Sequence, residues 1–273
     1  MSFFTDRFLF SYYFFSSMLK QYNFDQIAEY YDLLELPNSS KNRDQNMFLF
    51  RILKKLNVKS VLDISCGTGI QALFLKKKGF SVTGIDHSKG LLDVAKIKAK
   101  RLHLDIDFKE GDMRTSQEGE FDCVISMYNS IGHVTQEEFK DVVLENVKKN
   151  LSDEGIYIFD IFNYNFFSQF EGTEKHDEEY TAADGTKVFR YTENTVHQKD
   201  EFIHVEHRNE IIFMDGSSDE KTDSWDMQLY GVDFLMSALE EKGFEVLGLY
   251  GSQEGEEFVQ EASTSIYIVA RKV

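Results

Sequence analysis

Three aspartates, two glycines and a histidine stand at intervals that suit the grip of an adenosine-bearing cofactor and the handling of a proton beside it. In VLDISCGTG, Val61 to Gly69, a buried strand built on Val61, Leu62 and Ile64 would deliver Asp63 near its carboxyl end, and Ser65 and Cys66 then lead into Gly67 and Gly69. The carboxyl edge of an open α/β sheet is where ligands collect. Glycines there let the backbone turn tightly and approach a ligand closely, because no Cβ intervenes. A second strand, Phe80 to Ile85, ends in Asp86, placed to accept from both ribose hydroxyls, with His87 beside it. A third, Ile106 to Lys109, leads into Gly111, Asp112 and Met113, where the carboxylate suits an adenine amino group and the thioether its ring face. A fourth, Phe121 to Ser126, runs into Met127, Tyr128, Asn129, Ser130, Ile131, Gly132 and His133. Histidine, with an ordinary pKa of about 6.5, is the usual acid/base residue near neutral pH, so His133 is the candidate proton acceptor. The bland reading of His133 is a satisfied histidine at a helix start.

The elements that must carry these residues alternate. Helix Ile70 to Lys78, closed by Gly79, separates the first two strands, and alternation continues to Leu151, which implies right-handed crossovers and a mainly parallel sheet. Thr135 and Glu138 form a capping box, and the helix they open turns Phe139, Val142, Val143 and Val147 to the core. Strand five spans Ile156 to Ile161, ending near Asp160 and Asn163. From about 166 to 227 the pattern changes to period two: Lys187 to Val196 and Phe202 to Met214, joined by the polar turn Gln198 to Glu201, read as an antiparallel hairpin. Such an insertion would stand over the carboxyl edge as a lid. A helix from Val232 to Lys242 and strands Phe244 to Tyr250 and Ser265 to Ala270 finish the sheet. Ahead of the core, FDQIAEYYDLL, Phe24 to Leu34, has Ile27, Tyr30, Tyr31 and Leu34 at helical spacing.

These motifs resemble those of class I S-adenosylmethionine-dependent methyltransferases: DISCGTG the first motif, GIDHS the second, EGDMR the third and FDCVISMYNSIGHV the fourth, over roughly residues 60 to 135. Ser65 stands where many members carry glycine or alanine. The resemblance implies an α/β, Rossmann-like seven-stranded sheet of order 3-2-1-4-5-7-6, with the last strand antiparallel and the β insertion as lid. It implies S-adenosyl-L-methionine as cofactor, released as S-adenosyl-L-homocysteine, held by Asp63, Ser65, Cys66, Gly67, Gly69, Asp86, His87, Asp112, Met113, Met127 and Tyr128. The YDLL segment resembles one that forms part of the lid in small-molecule methyltransferases, which puts Tyr31 near the reacting groups as a catalytic candidate with His133. Within the superfamily the chain looks most like the N-methyltransferases of amino sugars and glycine, so an amine acceptor is expected. A sugar or phenol O-methyltransferase and a catalytically silent cofactor-binding subunit are the competing readings. Nicotinamide binding is the other use of a strand, glycines and a later acid, and Ala72 falls where its fingerprint permits alanine; Asp63 ahead of the turn, with Asp112 and Met113 on the third strand, favours the methyl donor.

Organisation follows as an N-terminal aromatic extension and lid helix over 1–45, a cofactor-binding core over 46–165, the insertion over 166–227 and completion of the sheet over 228–273. The net charge of −17 opposes nucleic-acid binding, which needs cationic surface to displace phosphate counterions. Cys66 and Cys123 have no pairing framework, which favours a reducing, cytoplasmic setting. Cys66 reads as a small buried filler rather than a nucleophile. No ligand spacing at the cofactor edge supports a metal. The aromatic run Phe8 to Phe15 is too short to span a bilayer, and it or the hairpin could make a homodimer contact. Partners are thus a small-molecule acceptor, with no nucleic acid and no membrane.

Overall fold

The computed structural model describes residues 19–35, 39–170 and 172–273. The aromatic run at Phe3 to Phe15 lies outside them. Helix α1 (Ser39–Lys55) precedes β1 (Ser60–Asp63), α2 (Ile70–Lys77), β2 (Ser81–Asp86), α3 (Lys89–Arg101), β3 (Asp107–Glu110) and β4 (Phe121–Ser126). Helix α4 (residues 136–149) and the long strand β5 (Leu151–Phe162) follow. Four strands come next, β6 (Gly172–Thr181), β7 (Lys187–His197), β8 (Phe202–Ile212) and β9 (Ser218–Gln228). Helix α5 (Val232–Glu241), β10 (Phe244–Tyr250) and β11 (Ser265–Lys272) close the chain.

The main sheet has the order β3-β2-β1-β4-β5-β11-β10, parallel except for β11, which runs antiparallel to both neighbours. This is the expected order. Successive strand residues point to opposite faces, so Val61, Cys123, Ile125 and Ile158 pack under α1, α2 and α3, whereas Leu62, Val124, Tyr157 and Phe159 pack under α4 and α5. Thr135 and Glu138 form the expected reciprocal cap. The helix they open widens into a π turn over Phe139–Val143, and Val142 is only half-buried while Leu144 joins the core. An extra residue in that turn shifts the apolar face, which simple helical spacing does not anticipate.

Beyond the predicted hairpin, the lid is a separate four-stranded antiparallel sheet of order β6-β7-β8-β9. The turn at Gln198 to Glu201 joins its middle strands as expected. Its two outer strands, GTEKHDEEYT and SDEKTDSWDMQ, are mostly polar and exposed, so they lack the apolar alternation that marks a half-buried strand. Val188, Ile203, Val205, Ile211 and Trp225 face inward on Tyr22, Ile27 and Leu34. The predicted continuous helix Phe24 to Leu34 is instead a 3-10 turn, Phe24–Ile27, and a separate helical turn, Tyr31–Leu34. The break lets Asp25 accept from Ser88 Oγ (2.6 Å) and Gly90 N (2.7 Å) at the start of α3. A Cβ on Gly90 would come within 2.9 Å of both Ala28 Cβ and the Asp25 carboxylate, so this docking requires glycine.

Among the described residues, no helix is long and apolar enough to cross a membrane, and no group of three His, Cys, Asp or Glu could hold a metal ion.

Candidate active site

The carboxyl ends of β1, β2, β3 and β4, the segment from Gln21 to Glu35 and strand β9 together enclose a cavity of about 350 Å³. Ser65, Cys66, Gly67, Asp86, His87, Asp112, Met113, Met127, Tyr128, Tyr31 and His133 all line it. Asp63 and Gly69, expected in the same site, do not. Asp63 is 1 % exposed and lies beneath the cavity wall, with one carboxylate oxygen unpartnered. Burial, with Asp86 nearby, pushes its pKa up to about 8. Gly69 shapes the turn from behind, at φ +79°; a Cβ there would stand 3.0 Å from the Phe108 ring and 3.2 Å from Ala95 Cβ. Its side of the turn packs α2 against the sheet, and Gly67, at φ +51°, presents its backbone to the cavity.

Asp86 ties the turn together. One of its oxygens accepts from Gly67 N at 2.8 Å and the other from Ser88 N at 2.9 Å. Burial raises its pKa against these backbone donors. A carboxylate oxygen has two lone-pair sites, so each retains one for a ribose hydroxyl. Asp112 is more committed than its sequence position suggests, because Arg114 grips both oxygens, Nε at 2.9 Å and Nη2 at 2.6 Å. Burial alone would raise its pKa; the guanidinium outweighs that and holds the carboxyl below its usual range. An adenine amino group would share these oxygens with Arg114. Cys66 is a buried filler as expected, its thiol pushed up by burial and packed where a Cβ on Gly84 would meet its Sγ at 2.9 Å.

His133 sits at the end of a 3-10 turn, Ser130–His133, edge-on to Phe24 with ring centroids 5.4 Å apart. Its Nδ1 is shut from water without a hydrogen-bond partner. Burial, then the charge of His87, lowers its pKa to about 4, so the imidazole is neutral at physiological pH. Tyr31 stands across Phe24, with its phenol held protonated by burial. Tyr30 packs on the lid core, as Tyr31 does, but does not line the cavity.

Several features of the site escape sequence reasoning, among them the backbone bend at the predicted Tyr128. Tyr128 and Asn129 both adopt left-handed backbone, φ +59°, an uncommon conformation for residues with a Cβ. Asp160, on β5, stabilises this bend by accepting from Tyr128 N at 2.7 Å and, more weakly, Asn129 N at 3.4 Å. Asp32 accepts from Thr68 Oγ1 in the glycine turn and from Lys98 Nζ at 2.6 Å, so the YDLL turn is latched to the cofactor edge. Tyr22, Trp225 and Met227 bring the lid into the cavity; Tyr22 and Trp225 stack at 3.9 Å, and the Tyr22 hydroxyl and Trp225 Nε1 have no hydrogen-bond partner there. The sole tryptophan of the chain was the one available signal.

An S-adenosyl group fits this cavity: an acid at each ribose and adenine position, an open backbone turn, buried carboxylates suited to a cationic ligand, and unpartnered polar atoms on the lid side. Comparison with known proteins agrees. Residues 61–155 match the family described as a methyltransferase domain. Human glycine N-methyltransferase is 29% identical over 161 residues, 53% of this chain and 54% of that protein. The dTDP-3-amino-3,6-dideoxy-alpha-D-glucopyranose N,N-dimethyltransferase of Streptomyces fradiae is 29% identical over 136 residues, 49% of this chain and 52% of that protein. The chain thus spans about half the length of each of these relatives. An S-adenosylmethionine-dependent methyltransferase from Clostridium acetobutylicum superposes with a TM-score of 0.76 at 19% identity, covering 91% of this chain and 98% of that one, which extends the shared fold through the lid. The sheet order and the superposition give the chain the fold of that methyltransferase, and residues 61–155 carry the matched methyltransferase domain.

Proposed function

We propose that this enzyme transfers the methyl group to the nitrogen of a small-molecule amine, with Asp86, Asp112, Met113 and the Ser65 to Gly67 turn holding the cofactor, and His133 and Tyr31 facing the acceptor. When bound, S-adenosylmethionine supplies a methyl carbon activated by a sulfonium. The residues of this chain align a lone pair with that carbon and keep water out. Trp225 and Met227 cover the cavity from the lid, and Tyr31 and Phe24 wall it from the N-terminal segment.

The observation that carries the amine reading is the weak basicity of His133, whose pKa is lowered to about 4. A neutral imidazole can accept a hydrogen bond from an amine N–H and turn the nitrogen lone pair toward the methyl carbon. It is poorly suited to removing a proton from an alcohol, which an O-methyltransferase of sugars requires. The amine must shed its ammonium proton to solvent before it reacts, because His133 cannot compete for it. Two relatives named above, a glycine and an amino-sugar N-methyltransferase, act on nitrogen by their names, which supports the same reading.

The test is a transfer assay by mass spectrometry across matched primary amines, sugar alcohols and phenols. Methylated amine is the expected product, with kcat/KM rising with pH along the acceptor amine's own ionisation. Methylation confined to hydroxyl acceptors would sink this assignment.

A further inference from the structure

A second cavity, of about 510 Å³, adjoins the first, and Glu35 and Tyr128 line both. Its remaining lining comes from α1, the ends of β4 and β5, the lid strand β6 and the segments 251–254 and 264–267. No lysine, arginine or histidine is among the described residues that line it, and Glu35, Asp160, Glu178 and Glu254 are. Arg190 Nη1 neutralises Glu35 at 2.6 Å. The carboxylates of Asp160, Glu178 and Glu254 form no ion pair among the described residues, and Arg51 reaches only the Glu254 backbone carbonyl, at 3.3 Å.

An independent observation comes from Gln45 on α1. It is 1 % exposed and lines this cavity; its amide nitrogen points at Asp160 Oδ1, 3.5 Å away, which leaves its Oε1 buried without a donor. Buried acceptors are normally satisfied, so this oxygen marks where a ligand's N–H belongs. Tyr128, Tyr180 and Tyr267 add aromatic walls, whose ring faces attract cations. Acceptor atoms, carboxylates and aromatic rings without a single cation describe a receptor for an ammonium group.

We propose that this cavity receives a second cationic group of the methyl acceptor, so that the acceptor class is a diamine or longer polyamine, one nitrogen facing His133 and another held among Gln45, Asp160, Glu178 and Glu254. This rests on the amine reading given above. Glu35 and Tyr128 stand in both walls, which makes the two cavities immediate neighbours, and the net charge of −17 favours the approach of a polycation.

The intact protein, saturated with S-adenosylhomocysteine, is titrated calorimetrically with 1,4-diaminobutane and with n-butylamine, and the titrations are repeated on a Glu178→Gln, Glu254→Gln double variant. Both glutamates are exposed, so the variant is expected to fold, which its melting curve checks. The diamine is expected to bind at least tenfold more tightly than the monoamine, and the double variant to erase that preference. Equal affinities in the unsubstituted protein, no binding of either amine, or a preference that survives the substitutions would overturn the proposal. The methyl-transfer assay separates this from the parent reading: a diamine preference lost in the variant but no methylated amine keeps the cationic cavity and removes the amine chemistry, whereas methylated monoamine without any diamine preference does the reverse.

Discussion

Beneath the cavity, on the cofactor side, Asp63 is a buried carboxyl; on the lid above it His207 is a buried imidazole. Each is held in its neutral form by burial, and their pKa values move apart accordingly, Asp63 up from 3.8 to about 8 and His207 down from 6.5 to about 3. Between pH 3.8 and 8 the unfolded chain loses the Asp63 proton that the folded chain keeps, so stability falls as pH rises through that window. Between pH 6.5 and 3 the unfolded chain gains a proton at His207 that the folded chain refuses, so stability falls as pH drops. His133, lowered to about 4, acts in the same direction as His207. Asp63 and His207 thus carry opposite pH liabilities for one reason: burial keeps each of them uncharged.

The largest separation of the two halves is expected from His133→Ala. Transfer should fall by roughly 10²-fold, the cost of a misaligned acceptor, while S-adenosylmethionine affinity by calorimetry stays near that of the parent; unchanged transfer would remove His133 from the chemistry. Next comes the lid's buried ion pair. Arg190 is 3 % exposed, paired with Glu35 and donating from Nε to Asn209 at 2.8 Å, so Arg190→Met, which strands its partners, should cost about 3–5 kcal/mol in denaturant unfolding. A cost confined to tenths of a kcal/mol would show that the lid is held by its apolar face alone.

The pH comparison itself is sharpened by two variants. Asp63→Asn should raise the melting temperature of the ligand-free protein, more at pH 9 than at pH 5, and weaken S-adenosylmethionine by about tenfold, roughly 1.4 kcal/mol. His207→Phe keeps an aromatic ring against Trp225, 4.6 Å away, and should flatten the loss of stability below pH 6.5. Variants whose melting curves shift equally at every pH would contradict the assignment of these two groups. Smallest is Lys175→Ala, which removes an exposed partner of Glu193 on the outside of the lid; less than about 1 kcal/mol is expected.

The legibility of the chain divides along the same line. Val61 to Gly69, Asp86, Asp112 and Met113 could be read because each follows its own strand within a few residues, so local period and local turn chemistry place it. The same reading put Asp63 in the cavity wall, whereas it lies buried underneath. On the lid, β7 and β8 showed their alternation because their inner faces carry Val188, Ile203, Val205 and Ile211. Strands β6 and β9 were silent, since they are held by backbone pairing to those neighbours and not by apolar faces of their own.

Sequence determined the motif residues at the edge of the cofactor half, because each depends on residues close in the chain, and the resemblance those motifs carry implied the strand order and the methyl-donor chemistry. Tertiary structure decided that Tyr22, Glu35, His133 and Trp225, spread over some two hundred positions, wall one cavity, and that Gln45 meets Asp160 and Glu178 in another. It also decided that His133 is neutral, since the pKa of a side chain is set by whatever the fold brings around it and not by its neighbours in sequence.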